Sequence, residues 1–125
     1  MITRYFQARI RSFGYAFNGL KVLLLTQPHA QLHALATVVV IIAGKILHLR
    51  RWEWVAILLC IGMVWMAEAL NTAIEFLADE VSLEKRERIG KAKDVAAGGV
   101  LITALISVAV AVLVFRNHLP LTLGF

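Results

Sequence analysis

The sequence predicts an all-α membrane protein: an N-terminal amphipathic surface helix followed by three transmembrane helices. Three observations carry that prediction. The 125 residues are 60% hydrophobic with a mean hydropathy of +0.77, more apolar than a soluble domain of this length can cover with polar residues. The apolar residues gather into three runs, each close to the roughly 20 residues that a helix needs to cross a bilayer. The charges mostly lie between those runs, with one exception at 68–80.

A chain this short predicts one domain, 1–125. Its single cysteine, Cys60, sits in an apolar run. It has no partner for a disulfide and no metal-ligand spacing, so a buried, inert thiol is expected. The net charge of +5 is spread along the chain, flanking apolar segments. That distribution suits a membrane surface and argues against nucleic acid as a partner. The opening "MITRYFQARIRSF" lacks the apolar core and small-residue cleavage site of a signal peptide.

The first element is predicted over residues 3–25. Tyr5, Phe6, Ile10, Phe13, Phe17, Leu20 and Leu24 recur at spacings of three and four, while Arg4, Arg11, Asn18 and Lys21 mostly fall elsewhere on the wheel. A basic amphipathic helix of this kind lies in the interface plane. "TQPHAQLH" interrupts it, and Pro28 suits the first turn of a new helix after Gln27. The first span is expected over 30–49, with Lys45 snorkelling near its far end.

"HLRRWEW" reads as a short interfacial turn whose tryptophans mark the membrane boundary. The second span is expected over 52–80, longer than the bilayer requires, so its last turns project from it. "SLEKRERIGKAK" reads as a charged loop containing Gly90. The third span, 95–115, carries no charge, and "RNHLPLTLGF" reads as an exposed tail. No repeat or low-complexity segment is evident.

Lys and Arg set the orientation. Arg4, Arg9, Arg11, Lys21, Lys85, Arg86, Arg88, Lys91 and Lys93 fall on one side of a three-span arrangement; Lys45, Arg50, Arg51 and Arg116 fall on the other. The positive-inside rule then places the N-terminus and the charged loop in the cytoplasm.

The exception is "EALNTAIEFLADE", residues 68–80, which follows the uncharged run 54–67 and holds Glu68, Glu75, Asp79 and Glu80. At ~100° per residue, Glu68, Asn71, Thr72, Glu75 and Asp79 share a stripe about 100° wide. A charge at bilayer depth costs roughly 2.5–3.5 kcal/mol even on the lenient insertion scale, so these groups must face protein, water, ions or one another. Glu68 lies deepest and suits a general base. Glu75, two turns nearer the cytoplasm, suits a hard cation such as Mg²⁺, which prefers one or two carboxylates plus substrate phosphates. Lys93 and Asp94, in "KAKD", stand at the mouth of the third span, where a lysine can pair with phosphate. The blander reading is helix glue: Asn71 and Thr72 bond a neighbouring helix while Glu75 and Asp79 stay hydrated. For Asp79 and Glu80 a solvated helix end is the simpler reading. His29, His33 and His48 suit interfacial hydrogen bonding better than metal ligation. "AAGG", residues 96–99, reads as a close helix-packing surface, since no P-loop or soluble-kinase pattern accompanies it.

"EALNTAIEFLADE", followed by "GKAKDVAAGGVLI" and preceded by "RSFGYAFNGL", resembles the small integral-membrane prokaryotic lipid kinases, diacylglycerol kinase and undecaprenol kinase. The likeness covers nearly the whole chain, and "RRWEWVAILLCIGMVWMAEALNTAIE" looks more like the undecaprenol-kinase branch. The resemblance implies a homotrimeric helical bundle in the bacterial inner (cytoplasmic) membrane, with its active site on the cytoplasmic side. It implies transfer of the γ-phosphate of ATP, with Mg²⁺, to a lipid hydroxyl: undecaprenol, or alternatively diacylglycerol, giving phosphatidic acid. By position, Glu68 matches the catalytic base and Asn71 a residue that supports the site. Glu75 matches a metal-coordinating carboxylate, and Lys93 and Asp94 match nucleotide contacts. Tyr15, Glu84 and Arg86 fall at nucleotide-contact positions. There is a departure: where the family commonly has a second metal-binding Glu and an Arg four residues later, this chain has Gln27 and Gln31. A glutamine carbonyl can ligate Mg²⁺ but adds no negative charge. Beside this reading stand a small proton-coupled transporter with Glu68 as proton site, and an assembly protein whose polar face only packs helices.

Overall fold

The computed structural model describes residues 2–119. It consists of four α-helices in chain order: α1 Ile2–Thr26, α2 Pro28–Ile46, α3 Arg51–Val81 and α4 Glu87–Arg116. The last three are long and apolar enough to cross a membrane. The chain is thus an all-helical, multi-pass membrane protein.

α1 and α2 meet at Gln27, whose extended backbone precedes Pro28 in the first turn of α2. Proline is favoured there because it lacks an N–H that would have no partner and its φ is already helical. α2 ends at Ile46, before the predicted limit of its span, and a turn over 47–50 reverses the chain. His48 takes φ 53° in that turn, a left-handed conformation that histidine tolerates better than most residues. The reversal brings α3 close to α2 at Gly44. A Cβ there would meet Leu49 Cδ1 at 2.9 Å and Trp54 Cη2 at 2.9 Å, so any larger residue would have to displace these side chains.

α3 runs 31 residues, about 46 Å at 1.5 Å per residue, longer than the ~30 Å hydrocarbon core. Its inward face is the series Glu53, Ile57, Val64, Glu68 and Thr72, a helical repeat of four and seven. α4 packs chiefly along α3, α2 touches α3 less extensively, and α1 leans on both. The apolar core of Leu49, Ile57 and Val114, with Val40, Trp54 and Phe115 against it, lies at the α2–α3 turn end. Elsewhere large apolar side chains face outward along all four helices, as lipid-facing helices require.

Three expectations are corrected. The segment read as a loop over 82–93 is a loop only over 82–86, and helix α4 starts at Glu87. Glu, Arg and Lys are good helix formers, and Lys91 closes an i,i+4 pair with Glu87 at 2.6 Å. Gly98 and Gly99 have open space where a Cβ would stand, so the close packing expected at 96–99 is not made within the protomer. The predicted exposed tail begins with a buried contact. His118 Nε2 lies 2.9 Å from Glu53 Oε2, and Glu53, 1% exposed, also accepts the Arg50 backbone N–H at 2.7 Å. A carboxylate three residues into a helix that reaches back to its N-cap amide is half of a capping box. The remainder of that tail, 120–125, lies outside the described residues.

Candidate active site

The polar stripe of α3 is turned inward at its deep end and outward at its shallow end. Glu68 is 2% exposed and Thr72 4%, Asn71 and Glu75 are half-buried, and Asp79 is exposed. The gradient follows from helix length: as α3 outruns α2, fewer side chains cover its face.

Glu68 faces α2, where His33 Nε2 stands 3.9 Å from Glu68 Oε2. The register between these helices is pinned one turn deeper. Trp65 Nε1–H donates to Thr37 Oγ1 at 3.1 Å, and Thr37 Oγ1–H donates to the His33 carbonyl at 2.7 Å. Antiparallel helices that pair 65 with 37 necessarily bring 68 beside 33. One turn shallower, Asn71 Nδ2–H donates to Glu75 Oε1 at 3.2 Å. Two buried oxygens of the stripe, Asn71 Oδ1 and Thr72 Oγ1, have no hydrogen-bond partner.

At the helix end the loop folds α4 against α3. Lys93 Nζ–H donates to Asp79 Oδ1 at 2.9 Å, and Glu75 adds to the negative field at Lys93. Asp79, Glu84, Arg86, Lys93 and Asp94 line one cavity of about 770 Å³ there. The structure therefore gathers Glu84, Arg86, Lys93 and Asp94 in one place, with Asp79 beside them rather than at a merely solvated helix end. A separate apolar groove of about 260 Å³ opens between α2, α3 and α4, lined among others by Leu32, His33, Thr37, Ile61, Val64 and Ala104.

Two predicted residues stand apart from these groups. Tyr15 is 74% exposed on α1. Gln27 caps α2 and its Nε2 lies 3.4 Å from Thr26 Oγ1, while Gln31 Nε2–H donates to the Leu24 carbonyl at 3.1 Å. The glutamines thus tie the α1–α2 junction.

Comparison with known proteins bears on this arrangement. The family model for prokaryotic diacylglycerol kinase matches residues 14–115. The chain belongs to the prokaryotic diacylglycerol kinase family. It is 37% identical over 109 residues to undecaprenol kinase of Bacillus subtilis, covering 87% of this chain and 89% of the relative. It is 36% identical over 100 residues to diacylglycerol kinase of Synechocystis, covering 79% and 57%. It is 25% identical over 116 residues to diacylglycerol kinase of Escherichia coli, covering 93% and 95%. A prokaryotic diacylglycerol kinase is a lipid kinase, and this chain is one by its membership.

Phosphoryl transfer in such a kinase implies a divalent metal, and the residues present fit Mg²⁺. Asn71 Oδ1 is a buried oxygen without a partner, adjacent to the Glu75 carboxylate that its own amide group contacts. Among the described residues no three His, Cys, Asp or Glu side chains cluster into a cage. Mg²⁺ in kinases is bound by one or two carboxylates with substrate phosphates completing the shell, and this donor set is of that kind.

Proposed function

We propose that this prokaryotic diacylglycerol kinase transfers the γ-phosphate of ATP to the hydroxyl of undecaprenol at the cytoplasmic face of the inner membrane. The observation that carries the reading is the single inward stripe on α3. It sets a buried carboxylate, Glu68, about 10 Å along the helix from Glu75 and about 16 Å from Asp79, which pairs with Lys93. We read the deep end of the stripe as an acceptor site at the membrane boundary and its shallow end as a phosphate site just outside it.

Glu68 takes the proton of the acceptor hydroxyl as its oxygen bonds to the γ-phosphorus. The bond from that phosphorus to the β–γ bridging oxygen breaks, and ADP leaves with the electron pair. Glu75 and the Asn71 carbonyl, with Gln27, would hold Mg²⁺, which would neutralise charge on the phosphates. Lys93 pairs with phosphate as a point charge, and Asp94, Glu84, Arg86 and Tyr15 contact the nucleotide. This is chemically sufficient because phosphoryl transfer depends mainly on positioning and electrostatics. Nine of thirteen Lys and Arg residues on the α1 and 82–93 side support a cytoplasmic site. The basic amphipathic α1 is read as lying on the membrane surface, and the assembly as the homotrimer that the family resemblance implies.

The higher identity to undecaprenol kinase than to the Escherichia coli enzyme supports the isoprenoid acceptor. Diacylglycerol is a second reading, supported by the 36% identity to the Synechocystis enzyme. Purified protein in vesicles, given labelled ATP and one lipid at a time, separates the two. Label in undecaprenyl phosphate is expected. Label in phosphatidic acid alone reverses the assignment, and label in neither rejects both.

A further inference from the structure

We propose that His33 is a second contact for the acceptor, so that its Nε2 and Glu68 Oε2 together seat the lipid hydroxyl. The inference deepens the lipid-kinase reading and rests on it.

The 3.9 Å separation of these atoms is too long for a hydrogen bond. It is the right length for one oxygen between them: an oxygen about 2.8 Å from each subtends about 90°. Glu68 is buried, and the α2–α3 register that sets it beside His33 is held by the Trp65–Thr37 bond, with the Thr37 hydroxyl in turn on the His33 carbonyl. His33 is also the one residue shared by this polar pair and the apolar groove between α2, α3 and α4. A long-chain alcohol has its own polar–apolar junction at the carbon bearing the hydroxyl, and His33 stands where the protein makes the same change.

In this arrangement the imidazole Nε2–H donates to a lone pair of the hydroxyl oxygen. The hydroxyl proton then points at Glu68 Oε2. On transfer that proton goes to Glu68, the oxygen–phosphorus bond forms, and ADP departs with the electron pair of the broken bond. His33 keeps its proton throughout.

The test uses the full-length protein in detergent micelles, with His33→Leu and His33→Gln compared against wild type. Loss of one hydrogen bond predicts that His33→Leu raises KM for the lipid alcohol roughly three- to tenfold, with KM for ATP unchanged. His33→Gln, which keeps a side-chain N–H donor, should restore most of the difference. Equilibrium binding of a radiolabelled long-chain isoprenoid alcohol, measured without ATP, should weaken in parallel. Unchanged lipid KM and binding in His33→Leu overturns the proposal. So does an equal loss for lipid and ATP, or a loss that glutamine does not repair, since either marks a structural role. If wild type phosphorylates no lipid, the kinase reading fails while the binding measurement still judges His33.

Discussion

Thr72→Val should make the protein more stable and less active. In this chain the other membrane-helix hydroxyls described with a donor role bond back to a carbonyl of their own helix: Thr37 to His33, Thr103 to Gly99 and Val100, Ser107 to Thr103. Such back-bonding is the usual resort of a hydroxyl in a helix. Thr72 Oγ1 makes no such bond, is 4% exposed at the residue level, and has no other partner. A buried hydroxyl without a partner costs about 1–3 kcal/mol. Valine has nearly the same shape and the same χ1 stiffness, so the substitution removes most of that cost and leaves the packing in place. The expected gain is about 1 kcal/mol, read from unfolding of the purified protein in mixed micelles with increasing dodecyl sulfate. Turnover, measured with labelled ATP and saturating lipid, should fall several-fold, because the hydroxyl sits one turn from Glu68 on the inward face. A less stable Thr72→Val protein refutes the reasoning, since it shows that the hydroxyl has a partner after all.

Glu68→Gln keeps the shape of the buried side chain and removes the base. Activity should drop roughly 10²–10⁴-fold, the range for general-base catalysis, with elution in size-exclusion chromatography unchanged; full activity removes Glu68 from that role. Glu75→Ala should raise the Mg²⁺ concentration needed for half-maximal rate, and an identical Mg²⁺ titration argues against metal binding there. His118→Ala leaves the buried Glu53 carboxylate without its side-chain partner. It should lower Tm by several degrees in circular dichroism while KM for ATP stays constant, and an unaltered Tm shows that the contact is dispensable.

Helical spacing alone exposes the stripe on α3, because Glu68, Thr72, Glu75 and Asp79 belong to one helix and their relation needs no tertiary information. The start of α2 at Pro28 is legible for the same reason. His33 is not. It gains significance only from the α2–α3 register, which depends on a bond between Trp65 and Thr37, 28 positions apart. Glu53 and His118 are 65 positions apart, and each alone reads as an interfacial polar residue. The start of α4 is obscured differently: hydropathy registers the apolar run, whereas Glu87–Asp94 is rich in charge yet helical. Gathering Glu84, Arg86, Lys93 and Asp94 around one cavity likewise depends on how the 82–86 loop folds, although Lys93 and Asp94 stand out by their place before the third apolar run.

Among the described residues the largest fully buried side chains are two glutamates, Glu53 and Glu68, while leucines, valines and phenylalanines face outward. This inversion changes what mutation can do over evolutionary time. An outward leucine can become isoleucine, valine or phenylalanine with little consequence, because lipid tails accept any apolar shape. An inward glutamate has few acceptable replacements. Divergence should therefore accumulate on the outward surface and spare the stripe. On that view, 25% identity over 116 residues to the Escherichia coli enzyme understates kinship. For such a protein, agreement along one inward face is the better measure of common chemistry.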